Sequence, residues 1–345
     1  MRALVTGATG FLGSHIVDAC LAQGDTVAAL ARAASPRAYL TSLPAVEIRQ
    51  GDLTDAASLD RATRGVDVVY HSAARVVDYG SREDFYDQNV RGTEVLLDAA
   101  RNNGVRRFVF VSSPSVVGDG SHQLNIDETY PYPARFLNLY SETKAAAEKL
   151  VLATNGPDFV TCAIRPRAVW GPRDRRGYMP KIVAKLLHGK MRDFSGGARV
   201  LASLCYCENA ARACVLAAAS PNVGGKAYFV TDREVVDVWG FMNTLAETFG
   251  APRMRKRASP RMVAAAVFVI EAAWTLPALS HRRAPPLSRY GLSLLTRSGT
   301  YDTSAARRDF GYEPPVPQAD GLARLRSWVD SIGGVEEFVQ QVSHG

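Results

Sequence analysis

The first thirteen residues confine the chain to few folds: MRALVTGATGFLG sets a short apolar run directly before Gly7, Gly10 and Gly13. Glycines at this spacing, between a strand and a helix, let backbone approach a pyrophosphate closely. The helix N-terminus adds free N–H groups and the positive end of its dipole. The form is G-x-x-G-x-x-G rather than G-x-G-x-x-G, but the physical requirement is the same. Thr9, Phe11 and Leu12 share the turn and join the three glycines as candidate cofactor contacts.

The strand-then-helix unit recurs along the first half of the chain. ALVTG (3–7), TVAAL (26–30), AVEIRQ (45–50), DVVYH (67–71), RFVFVSS (107–113) and FVTCAIRP (159–166) are rich in Val, Ile and Phe. Helical periodicity fills the gaps, most clearly at EVLLDAARNNG (94–104) and SETKAAAEKLVLA (141–153). Alternating strands and helices predict a doubly wound α/β fold, a parallel sheet covered on both faces, over residues 1–170. Beyond about residue 170 the rhythm loosens and Pro, Gly and Arg increase. A smaller substrate lobe is expected from 171–200 and 231–345, with segments around 201–230 returning to the sheet. At 345 residues and 47% hydrophobic, the chain can bury the core that such a plan needs.

Five scattered cysteines (Cys20, Cys162, Cys205, Cys207, Cys214) argue against a disulfide framework, and no His/Cys cluster completes a metal site. No secretory leader pattern opens the chain, so a reducing cytoplasm is expected. The formal charge of +7 is spread out rather than striped, which argues against a nucleic-acid partner.

The second strand, TVAALA, ends without an acidic residue and is followed by Arg32. An acid there would bind a ribose 2′-hydroxyl, whereas arginine accommodates a 2′-phosphate. NADP is therefore preferred, with NAD as the other choice. In GDLTD (51–55), Asp52 and Leu53 follow a strand end, where they can meet the adenine, and Ala73 in HSAA (71–74) offers a small surface beside a cofactor.

LYSETKAAAEKL places Tyr140 and Lys144 one helical turn apart, on one face. Tyrosine, with a pKa near 10, is a poor acid–base catalyst at neutral pH. A neighbouring ammonium stabilises the phenolate and is expected to lower that value. The turn after RFVFV offers Ser112, Ser113 and Ser115 as hydroxyl donors to a substrate oxygen.

TGATGFLG, GDLTD, HSAA, NVRGT (89–93), SSPSVVG, YSETK, RPRAVWGPRD (165–174) and DTSAARRDFGYEP (302–314) together resemble the extended short-chain dehydrogenase/reductase superfamily over nearly the whole chain. The resemblance implies a Rossmann-type dinucleotide domain. It implies that Ser113 polarises the reacting oxygen, that Tyr140 transfers its proton, and that Lys144 holds the nicotinamide ribose and tunes Tyr140. Arg165 and Pro166 would lie against the nicotinamide end, and Asn89 would serve structure rather than catalysis. Members acting on nucleotide sugars usually carry Arg-x-x-Asn where this chain has IRPRAVWGP, which disfavours an epimerase or dehydratase. That reading and a non-catalytic cofactor-binding regulator remain the alternatives.

TCAIRP, WGPRD, MPKIV, HGKM and CYCENAARA resemble the 3β-hydroxysteroid dehydrogenase branch, including sterol-4α-carboxylate 3-dehydrogenases. SPSVV, YPARF, RPRAVWGP and SAARRDFGY equally resemble bacterial 2-alkyl-3-oxoalkanoate reductases. Both likenesses imply interconversion of a hydroxyl and a ketone β to a carboxylate on a large lipophilic substrate. A cation should then face that carboxylate, and Arg135, Arg167 and Arg173 are the candidates, since guanidinium binds carboxylate bidentately.

RMRKRASPRMVAAAVFVIEAAWTLPALSHRR (253–283) sets an apolar stretch between basic clusters. Its length is just sufficient to span a bilayer. Glu271 in mid-segment would cost about 2.5–3.5 kcal/mol there, and Pro277 would break the last turns. The expectation is a helix over 262–280 that contacts a membrane surface or guides substrate, its basic flanks suiting anionic lipid, with a buried packing helix and a true span as the alternatives. Membrane association through this region is also what the resemblance implies, and a homodimer is compatible with it.

Overall fold

The computed structural model describes residues 1–77, 79–175, 177–280 and 285–340. In chain order its strands are β1 (Arg2–Thr6), β2 (Thr26–Ala31), β3 (Val46–Gln50), β4 (Val68–His71), β5 (Arg107–Val111), β6 (Gln123–Ile126) and β7 (Val160–Pro166). They continue with β8 (Val169–Trp170), β9 (Leu201–Ser203), β10 (Cys205–Tyr206), β11 (Lys226–Val230), β12 (Val235–Asp237) and β13 (Gly299–Tyr301). Seven of them form one sheet in the order β11-β7-β5-β4-β1-β2-β3, and every neighbouring pair is parallel. The six apolar runs read from the sequence are its first six strands.

A parallel sheet covered on both faces needs strands that are apolar throughout. β1 shows how both faces are used. Ala3 and Val5 join Ile16, Val17 and Val215 in one buried cluster, while Leu4 joins Leu59, Leu96 and Ala147 in another. Alternate side chains thus face opposite layers. Phe11–Ala22 and Cys207–Ala219 cover the first face; Ala56–Thr63, Gly92–Asn102 and Leu139–Ala153 cover the second. The strand order reverses between β1 and β4, the position where open α/β sheets leave a crevice at their carboxyl ends.

Only part of 201–230 returns to this sheet. β11 does so beside β7, whereas β9 pairs with β12 and β13 in a four-stranded sheet with β6, and β10 pairs with β8. A second core, built around Trp170, Met179, Phe241, Leu245 and Leu325, belongs to the helices Tyr178–Leu187, Val238–Thr248 and Gln318–Ser331.

The apolar segment differs from the expected single helix over 262–280. One helix runs Pro260–Ala273, the chain turns at Trp274, and a short helix resumes at Pro277–Ser280. A proline has no N–H to donate to the carbonyl four residues back, so the first helix cannot run on through position 277. Of the Pro260–Ala273 helix only Val267 is buried, while Met262, Phe268 and Val269, and Leu276 just beyond, are 59–75% exposed. Its anchor is the helix Arg289–Thr296, where the Arg289 N–H donates to Glu271 Oε1 at 2.9 Å. Among the described residues no helix is long and apolar enough to cross a membrane. The basic residues at 282–283 lie outside the described residues.

Candidate active site

The glycine loop owes its shape to contacts that exclude side chains. Gly7 sits at φ +68°, and a Cβ there would come within 2.8 Å of the Ala73 nitrogen. A Cβ on Gly13 would fall 2.1 Å from the Gly7 carbonyl oxygen. The loop therefore folds tightly onto β4 and onto itself. The helix after it has Gly10 as N-cap, no capping side chain and no acidic residue in its first turn. Its orphan N–H groups and positive dipole end are left for a ligand.

A cavity of about 1930 Å³ begins at this loop and runs along the carboxyl ends of the sheet. Gly7, Arg32, Asp52, Ala73, Ser113 and Pro166 line it from just beyond β1, β2, β3, β4 and β5 and from the end of β7. A single small-molecule site is usually about 300–1,000 Å³, so this one has room for a dinucleotide and a second large molecule. Thr9, Gly10, Phe11, Leu12, Gly13, Leu53, Tyr140 and Lys144 also line it. Asp52 Oδ1 accepts from the Thr54 N–H at 3.0 Å and holds its own turn, and Leu53 packs where Gly92 leaves space. The glycine cradle, the open helix terminus and the orphaned Ser112 and Ser115 hydroxyls fit a dinucleotide with a second ligand beside it.

Ser113 lies just beyond β5 and opens the turn Pro114–Val117, with its Oγ accepting from the Ser115 N–H at 3.2 Å. Its side chain also lies near enough to the Tyr140 phenol to favour the phenolate. Tyr140 stands in the first turn of Leu139–Ala153, where Asn138 Oδ1 caps the helix by accepting from the Ser141 N–H at 2.9 Å. Lys144 is buried one turn on. Its Nζ donates to the Val111 carbonyl at 2.5 Å and lies 3.8 Å from the centre of the Phe110 ring.

The expected lowering of the tyrosine is reversed. Burial pushes Tyr140 up to about 12, and the neighbouring Ser113 hydroxyl draws it back only in part. Burial brings Lys144 down to about 7, opposed by the Glu148 carboxylate. The cause is shared desolvation: the ammonium spends its contacts on a carbonyl and a ring rather than on the phenol.

Arg165 is a correction. Along β7 it faces away from Pro166 and lines no part of the cavity. It is buried against Glu148, donating from Nε to Oε2 at 2.9 Å and from Nη2 to Oε1 at 2.6 Å, and the Tyr132 hydroxyl also donates to that carboxylate at 2.7 Å. Arg135 is a second correction: it is exposed and off the cavity. Arg173 lines the cavity beside the glycine-loop helix, and its Nη2 is held by Asp18 and His15. Arg167 is the buried guanidinium of the three. It lines the cavity, donates from Nη1 to the Ser203 carbonyl at 3.2 Å and stands near the Tyr301 phenol, which its charge draws down, with no acidic partner among the described residues. Asn89 braces structure, bonding Arg75 backbone and the Thr143 hydroxyl.

Sequence reasoning missed the far wall, made by Phe241, Met242 and Leu245 together with Leu294, Leu295 and Trp328. The spacing 238, 241, 242, 245 signals a buried helical face, but nothing local says that part of that face borders a cavity.

The chain matches the 3-beta hydroxysteroid dehydrogenase/isomerase family over residues 4–260. It is 35% identical to a 2-alkyl-3-oxoalkanoate reductase of Stenotrophomonas maltophilia, covering 95% of this chain and 99% of that one. It is 37% identical to a 3 beta-hydroxysteroid dehydrogenase/Delta 5-->4-isomerase of Mycobacterium tuberculosis, covering 96% and 91%. Among solved structures it is similar to a dTDP-glucose 4,6-dehydratase from Streptomyces venezuelae, described with NAD and DAU bound. That likeness has a TM-score of 0.72 and 27% identity, over 96% of this chain and 97% of the other. A dinucleotide cradle, a Ser–Tyr–Lys set on the same cavity and these relationships lead to one assignment: the chain belongs to the 3-beta hydroxysteroid dehydrogenase/isomerase family, and is an NAD(P)-dependent oxidoreductase of the extended short-chain type.

Proposed function

We propose that the protein interconverts a 3-hydroxyl and a 3-ketone on a large lipophilic acid, either a long-chain 2-alkyl-3-oxo acid or a 4α-carboxysterol. The observation that carries this reading is one continuous cavity. It starts at the glycine cradle, passes Ser113 and Tyr140, and ends on apolar walls.

When bound, the nicotinamide dinucleotide supplies or takes up the hydride. The chain's residues do the rest. Ser113 Oγ and the Tyr140 phenol hold the reacting oxygen, and Tyr140 gives that oxygen a proton in reduction or removes one in oxidation. Lys144, when charged, favours the phenolate over the phenol. Arg167 takes the substrate carboxylate: a buried guanidinium with no acidic partner gains most from an anionic ligand. Arg32, just beyond β2 on the cavity wall, supports NADP over NAD. The exposed Met262, Phe268, Val269 and Leu276, beside Arg255, Lys256, Arg257 and Arg261, support peripheral contact with an anionic membrane. That contact would bring the substrate lobe to its lipid.

The test compares NADPH oxidation with a long-chain 2-alkyl-3-oxo acid against NAD(P)⁺ reduction with a 4α-carboxysterol. Turnover on at least one is expected. Activity on neither, with saturable binding of a UDP- or dTDP-sugar, would overturn the reading in favour of sugar chemistry.

A further inference from the structure

Beside the dinucleotide cleft, Asp18, His15, Tyr39 and Arg173 form a polar cluster that the reaction leaves unused. Arg173 comes after β8 with φ +69°, the left-handed region that a non-glycine residue rarely adopts. Its Nη2 donates to Asp18 Oδ2 and to His15 Nδ1, both at 2.6 Å, and its guanidinium lies 4.3 Å from the centre of the Tyr39 ring. The Tyr39 hydroxyl also bonds Asp18. His15 Nε2 donates to the Pro172 carbonyl at 2.9 Å, which leaves Nδ1 as the acceptor for Arg173. Burial and then the guanidinium push His15 down to about 4, in keeping with a neutral ring.

Two features show that this arrangement is incomplete. The Arg173 Nε is buried without a partner among the described residues, although the residue lines the cavity with Arg32, Ser35 and the glycine loop. Asp18, a half-buried carboxylate on the glycine-loop helix, is the ion-pair partner of this cavity-lining guanidinium, so a phosphate reaching Arg173 would compete with Asp18 for the same cation.

We propose that Arg173 is a phosphate latch for the dinucleotide, exchanging its bond to Asp18 for a phosphate oxygen when the cleft is filled. The assignment rests on the cleft being a dinucleotide site and moves Arg173 from substrate to cofactor. A planar guanidinium can turn from a carboxylate to a phosphate without losing its fork geometry. The next residue, Asp174, caps the helix Tyr178–Leu187, accepting from the Gly177 N–H at 2.7 Å and the Met179 N–H at 3.2 Å. That helix lines the substrate half of the cavity through Tyr178, Lys181 and Ile182. The latch therefore joins the cofactor's phosphates to the substrate wall through two adjacent residues.

The experiment measures dissociation constants of NADPH and NADH by calorimetry, without substrate, on wild type, Arg173→Met and Asp18→Asn. Arg173→Met is expected to weaken binding about 10- to 100-fold, the range for losing a charged hydrogen bond. A loss confined to NADPH identifies the 2′-phosphate as the partner, and an equal loss for both identifies the pyrophosphate. Asp18→Asn keeps a hydrogen-bonding side chain but frees the cation from its rival, so binding should tighten. The proposal is overturned if Arg173→Met binds both dinucleotides like wild type, or if Asp18→Asn weakens binding, as loss of a purely structural cluster would. Should Arg173→Met fail to fold, the direction of the Asp18→Asn change decides alone. A wild type that binds neither dinucleotide would sink the parent reading and this one with it.

Discussion

His71, at the end of β4, is fully buried between two hydroxyls, with Nδ1 2.7 Å from Thr6 Oγ1 and Nε2 2.9 Å from Thr93 Oγ1. Burial, and then the Lys144 charge, push it down to about 3, and burial takes His15 to about 4. Unfolded, each titrates near 6.5. A base held neutral by the fold contributes stability above its unfolded value and loses it as pH falls toward the folded value. Between pH 6.5 and 4 each histidine should cost about 1.4 kcal/mol per pH unit. Urea denaturation over that range should show a slope shallower by one proton in His71→Gln, and an unchanged slope would contradict the account. At this scale the sequence was legible where function depends on short spacing. Gly7, Gly10, Gly13, Tyr140 and Lys144 meet on the cavity because loop and helix geometry fix them locally. Arg165 was not, because one step along β7 reverses a side chain's face, and its partner Glu148 lies 17 residues away.

The helix Leu139–Ala153 carries Tyr140, Lys144 and Glu148 on successive turns, so its integrity governs the site. Asn138→Ala removes its cap and should cost about 1 kcal/mol. Glu148→Gln strands the buried Arg165 charge and should cost about 3–5 kcal/mol, as should Arg165→Met through Glu148. The double variant should recover most of that loss. Thermal or urea unfolding checks this, and single variants within about 1 kcal/mol of wild type would show that burial is relieved by water. Strands were legible as elements because a sheet covered on both faces demands continuous apolar runs. The Pro260–Ala273 helix was legible as apolar, and Pro277 marked a break, but the start at Pro260 and the turn at Trp274 were not placed by the hydropathy pattern. Its exposure was legible only through the basic flanks and Glu271, since hydropathy alone cannot distinguish a helix facing the core from one facing outward. Exposure makes its partner testable. Wild type should sediment with vesicles containing anionic lipid, and a Phe268→Ser/Val269→Ser variant should stay in the supernatant with an unchanged melting temperature. Equal behaviour of the two proteins would rule this helix out as the contact.

Across the whole molecule, the site arises where two cores meet. The sheet supplies the cradle and the proton-transfer residues from strand ends; the second core supplies the apolar wall from helices far along the chain. That separation explains why motifs indicated a reaction but not a substrate. Arg167 shows the same limit. Its burial at a junction with Ser203, Gly299 and Tyr301 depends on β9 and β13 pairing, which no local pattern announces. On the proposed function, Tyr140 moves the proton in this cavity. Comparing wild type with Tyr140→Phe on whichever substrate supports turnover, with NADPH binding measured in parallel, checks that role. The phenylalanine variant should bind the dinucleotide with unchanged affinity and lose about 10²- to 10⁴-fold in kcat. Full turnover by that variant would rule Tyr140 out as the proton carrier.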